Sequence, residues 1–140
     1  MPRILIIDDE RDVRDSVAKI LERAGFEVHV ADGGAAGLEA YRSHGADVVI
    51  TDIIMPETHG VDVIAALRQT DNAVRIIAIS GGGNFGLGGY QPGAITTNAY
   101  LAAASKVGAD AILTKPFERQ ELLDLVNGLV RGGAGPGGPH

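Results

Sequence analysis

Four places in this sequence set reactive side chains immediately after short apolar runs. Asp8-Asp9-Glu10 follow residues 4–7, Thr51-Asp52 follow residues 48–50, Ser80 follows residues 74–79, and Thr114-Lys115-Pro116 follow residues 111–113. Together they offer three aspartates, a hydroxyl and a lysine. Clustered carboxylates repel one another, so a cation belongs among them, and oxygen donors at a partly hydrated site favour magnesium. Such an ion can neutralise charge on a transferring phosphoryl group. An aspartate can act as nucleophile and form an acyl phosphate, a lysine can stabilise the remaining negative charge, and a hydroxyl can donate to a phosphoryl oxygen. Each residue also has a plainer reading. An acidic pair after a strand suits the positive end of a helix, while Asp52, Ser80 and Lys115 could be loop, turn and surface groups. All of them nevertheless fall at the same kind of boundary, which favours a shared site.

The elements that would position them follow from the apolar pattern. The four runs suit strands buried on both faces. A fifth segment, residues 26–30, alternates and reads as a half-buried or edge strand with Glu27 and His29 toward solvent. Between them, Val13, Val17, Ile20, Leu21 and Ala24 mark one helical face, stopped by Gly25. A weaker helix covers residues 35–43 with Leu38 and Tyr41 inward. Val61, Ile64 and Leu67 mark a third helix. Ile95, Ala99, Ala103 and Val107 mark a fourth, ended by Gly108, and Leu122, Leu125, Val126 and Leu129 mark a fifth. Five βα units with right-handed crossovers give an α/β fold, a parallel sheet covered by helices on both faces. The flavodoxin-like, doubly wound order 2-1-3-4-5 suits five strands, and ligands in such sheets bind beyond the carboxyl ends of the strands. That edge is where the aspartates, Ser80 and Lys115 fall.

Bulk properties narrow the function classes. The 140 residues favour one domain, 45% hydrophobic and 21% charged, with no cysteine and therefore no disulfide or thiolate chemistry. The net charge of −6, without a visible basic patch, argues against nucleic-acid binding. Nothing resembles a signal peptide or approaches the roughly 20 apolar residues of a membrane span, so a cytoplasmic location is expected. His29, His44, His59 and His140 lack metal-ligand spacing and read as solvated surface groups.

Ile6-Ile7-Asp8-Asp9-Glu10, Asp52-Ile53-Ile54-Met55-Pro56 with Gly60, Ile79-Ser80-Gly81 and Lys115-Pro116-Phe117 resemble the response-regulator receiver family of two-component signalling. The four motifs occur in the family's order, and the resemblance covers about residues 3–131. It implies Asp52 as phosphoacceptor, Asp9 as a direct magnesium ligand and Asp8 mainly through water. The backbone carbonyl of Ile54 is implied to complete the protein's share of the coordination. Lys115 is implied to pair with Asp52 and then with the phosphoryl group, after a cis Lys115–Pro116 bond, and Ser80 to move toward the phosphoryl group. The implied donor is a histidine on a sensor kinase or phosphotransfer protein. The implied output surface is the face of the fourth predicted helix, fifth strand and last helix, through which some receivers dimerise.

Two features depart from the family. Ile112 stands where an aromatic reporter is usual, which implies a different readout. The segment 81–93, beginning Gly81-Gly82-Gly83, is roughly a dozen residues longer than the family norm, and loops of such length are usually functional or disordered. It is read as a lid or partner surface beside Ser80. Its formal G-x-G-x-x-G at Gly81, Gly83 and Gly86 could suggest nucleotide binding, but it does not open a helix and lacks the acidic residue that should follow. A scaffold that is not phosphorylated would be expected to have lost pocket residues. An aspartate-nucleophile phosphatase would carry an acid at position 54, where this chain has isoleucine. The expected organisation is a receiver domain over residues 1–131 and a disordered Gly/Pro-rich tail over 132–140. With no further domain in the sequence, the expectation is a single-domain regulator that is not itself an enzyme. It would signal to a partner protein or pass the phosphoryl group on in a phosphorelay.

Overall fold

The structure is a computed structural model that describes residues 2–53, 60–71, 73–80, 106, 108–114 and 117–132. In chain order these form β1 (Arg3–Ile7), α1 (Arg11–Arg23), β2 (Glu27–Ala31), α2 (Gly34–His44), β3 (Val48–Asp52), α3 (Gly60–Thr70), β4 (Arg75–Ser80), β5 (Ala111–Thr114) and α4 (Arg119–Gly132). The five strands pair in parallel in the order β2-β1-β3-β4-β5. The flavodoxin-like α/β fold is therefore present. The helix expected over residues 95–107, the loop 81–93 and residues 133–140 of the tail lie outside the described residues, save Lys106, which is helical.

The apolar runs form strands because both faces of the sheet are covered. Side chains alternate across a strand, so each run supplies two cores. Leu5, Ile7, Val49, Ile76 and Ala78 pack toward α2 and α3 with Tyr41, Val63, Ile64 and Leu67. Ile4, Ile6, Val48, Ile50, Ile77 and Ile79 pack toward α1 and α4 with Val17, Leu21, Leu122, Val126 and Leu129. Each fully buried aliphatic side chain contributes roughly 1.5–3 kcal/mol. Two glycines have geometric reasons. Gly25 takes φ +99°, and the Phe26 amide donates back to the Leu21 carbonyl at 3.1 Å, ending α1 where expected. At Gly37 a Cβ would collide with the Ile7 side chain, so the absence of a side chain lets α2 press against β1 there.

Two expectations need correction. Ala24 is not part of the buried face of α1. It is exposed as the residue capping the helix end. On β2 the alternation does not run as read: Val30 is 46% exposed, while Glu27 and His29 are half-buried. The reason is a polar network at the edge. Arg3 Nε donates to Glu27 Oε2 at 2.8 Å, and His29 Nε2 meets the same oxygen at 3.0 Å. The His29 ring stacks on His44 from the end of α2, with centroids 4.4 Å apart. The hydrogen bond from His29, then that from Arg3, holds the Glu27 carboxyl below its usual range.

Candidate functional site

The register builds the site. Ile7 pairs with Thr51, so Asp8, one residue on, comes beside Asp52 at the carboxyl end of the sheet. Asp52 in turn pairs with Ile79, and Ser80 with Thr114, which brings the backbones of all four segments to one edge. The β1–α1 turn then folds Asp8 inward. Its amide donates to the Ala31 carbonyl at 3.1 Å, and its Oδ1 accepts the Glu10 amide at 2.8 Å. Arg14, one turn into α1, donates from Nη1 to the Asp8 carbonyl at 3.0 Å. At β3, Thr51 Oγ1 donates to the Asp52 carbonyl at 3.1 Å, and the Ile53 amide donates to the Ile79 carbonyl at 3.0 Å.

The result is an acidic cluster. Asp8, Asp9 and Asp52 each offer a carboxylate oxygen, and the three oxygens lie within 4.8 Å of one another. Asp8 is 1% exposed and Asp52 4%, while Asp9 is open to solvent. Two buried carboxylates this close disfavour each other's ionisation, and burying charge is costly without compensation. An all-oxygen donor set with one solvent-facing member fits a hard divalent cation that keeps part of its water shell.

Of the residues singled out in the sequence, Asp8, Asp9 and Asp52 are brought together. Ile112 is half-buried on β5, paired with Ala78 and packed against the core facing α2 and α3. Ser80 reaches the site edge through its backbone. The Ser80 side chain, Ile54, Gly81, Gly82, Gly83 and Lys115 lie outside the described residues. Arg14 was missed by the sequence reading, though a cation four residues after Glu10 in a helical pattern was the available signal.

The family model described as the response regulator receiver domain matches residues 4–88. The chain belongs to the response regulator receiver domain family. The chemotaxis protein CheY of Bacillus subtilis is 33% identical over 126 residues, which cover 89% of this chain and 94% of that protein. The transcriptional regulatory protein PrrA of Mycobacterium tuberculosis is 35% identical over 130 residues, covering 93% of this chain and 50% of that protein. This receiver domain thus spans about half the length of the transcriptional regulator. Among solved structures, a response regulator receiver domain protein from Clostridium thermocellum matches with a TM-score of 0.76 at 30% identity, covering 94% of this chain and 95% of that one. The receiver domain is a module of two-component response regulators, and its acidic cluster stands at the edge where doubly wound sheets place their ligands. Among the described residues, no helix is long and apolar enough to cross a membrane.

Proposed function

We propose that this receiver domain accepts a phosphoryl group on Asp52 from a phosphohistidine of a kinase or phosphotransfer protein, with magnesium held by Asp8, Asp9 and Asp52. The observation that carries this reading is the convergence of three carboxylate oxygens within 4.8 Å, two of them on buried residues. An Asp52 oxygen attacks phosphorus, the P–N bond of the donor breaks, and its electron pair returns to the imidazole as the acyl phosphate forms. Magnesium, when bound, supplies neutralisation of the charge gathered on the carboxylates and the transferring phosphoryl group. Asp8 is held for this task by the Glu10 amide, and the Arg14 bond to its carbonyl steadies the turn that carries Asp9.

Family membership supports the remaining assignments. The Ile54 carbonyl would complete the metal's protein ligands, Lys115 would face the phosphoryl group, and the Ser80 hydroxyl would bind it and begin the switch toward Gly81, Gly82 and Gly83. The protein is then a phosphoacceptor that assists its own phosphoryl transfer and loss, rather than an enzyme acting on other substrates. Its signal passes to a protein target or to the next carrier of a phosphorelay. Ile112, an aliphatic residue packed into the core, directs that readout away from an aromatic flip.

The test is intact-protein mass spectrometry after incubation with acetyl phosphate, with and without magnesium. Wild type should gain one phosphoryl mass only with magnesium, and Asp52→Asn should gain none. Equal gain by the variant, or no gain by wild type, defeats the reading and favours a scaffold that is not phosphorylated.

A further inference from the structure

Away from the acidic cluster, α1 and the start of α4 flank an open cleft of about 490 Å³. Its walls carry Lys19 and Arg23 from α1 and Arg119 from α4, with Ser16 beside them and Ile20 and Leu123 among its apolar lining. No carboxylate lines it, in a chain whose net charge is −6. Among the described residues none of the three cations forms an ion pair.

Folding energetics account for only part of this arrangement, since Arg23 alone lies in a helix's last turn, where a cation is favoured. Lys19 and Arg23 are like charges at i,i+4, a spacing that destabilises a helix. Arg119 is the first residue of α4, where the helix dipole disfavours a cation. Ile20 and Leu123 are only half-buried, so the floor keeps apolar surface exposed. Three cations with no ion pair among the described residues, around a concave, partly apolar floor of this volume, are the ordinary makings of a small-molecule site.

We propose that this cleft binds a small diphosphate-bearing molecule with an apolar or planar part, a nucleoside diphosphate being the chemical type. Lys19, Arg23 and Arg119 hold the phosphates through charge-assisted hydrogen bonds, Ser16 donates a further one, and Ile20 and Leu123 support the base. Because α1 follows the Asp8-Asp9 turn directly and α4 follows the Lys115 segment, occupancy bears on both segments flanking the acidic cluster.

The experiment is a titration of the whole chain with ADP in EDTA, followed by amide NMR, so that metal at the acidic cluster plays no part. Saturable shifts are expected at Ser16, Lys19, Ile20, Arg23 and Leu123, weakening as salt is raised. Arg119→Ala, and separately Lys19→Ala with Arg23→Ala, should each weaken binding about tenfold or more, with circular dichroism confirming an intact fold. Adenosine should bind far more weakly than ADP. Absence of shifts at millimolar ADP, shifts centred elsewhere, adenosine binding equal to that of ADP, or full affinity in both variants would each overturn the proposal.

Discussion

The two ends of the sheet treat charge in opposite ways. At the amino-terminal end, opposite charges are matched. Arg3 bonds Glu27 through its side chain and Asp47 through its amide, Tyr41 donates to Asp71 at 2.7 Å, and Arg68 joins α3 to the start of β5. Arg68 Nη2 reaches Asp110 Oδ2 and the Gly108 carbonyl, each at 2.6 Å, and Nη1 reaches the Val74 carbonyl. At the carboxyl end three carboxylates are gathered within 4.8 Å. The first arrangement lowers the energy of the folded chain. The second gathers like charge of the kind a hard cation would neutralise. One end ties the fold together, and the other holds the residues to which the proposed function is assigned.

That contrast can be broken from either end. The largest stability effect is expected at the amino end. Arg68 and Asp110 are only 15% and 18% exposed in their side chains, so Arg68→Ala leaves a largely buried carboxylate and should cost about 3 kcal/mol in urea unfolding. Phosphoryl uptake by the folded fraction should remain. Loss of uptake with unchanged stability would reverse the division. At the carboxyl end the effect should fall on the response to metal instead. Asp52→Asn should lose most of the thermal stabilisation that magnesium gives wild type, and an undiminished magnesium response would remove Asp52 from the metal site.

The amino end should also show in the pH dependence. The hydrogen bond from Tyr41, then that from the Ala73 amide, holds the Asp71 carboxyl below its ordinary 3.8. The folded state therefore binds this proton less readily than the unfolded one, and its contribution is present above 3.8 and lost as pH falls through the lowered value. Burial, then the bond to Asp71, raises the Tyr41 phenol above its ordinary 10.0, so that contribution is lost as pH rises beyond 10.0. Tyr41→Phe should flatten both arms of a stability-against-pH curve, and unchanged arms would remove the pair from the account. The smallest effect belongs to the cleft. Lys19→Ala should raise thermal stability by a few tenths of a kcal/mol at most, roughly the repulsion of one like-charge helical pair. A clear loss would show that Lys19 holds the fold.

The strands and the three carboxylates were legible in sequence for one reason. A strand buried on both faces must be continuously apolar, so the first charged residue after it marks the sheet edge, as at Asp8 and Asp52. Helix faces were legible in the same way, at Val17, Leu21, Leu122 and Val126. What could not be read was pairing across distance. Whether His29 faces water depends on His44 at the end of another helix, and the partner of Arg68 stands 42 residues away. The cleft depends on Lys19 and Arg119 approaching from opposite ends of the chain, which is why the sequence showed no basic patch. The sequence by itself determined which residues end the strands and the chemistry those residues can do. Only the tertiary structure decided which charges meet, because periodicity is a local property while charge pairing is set by the packing of separate elements.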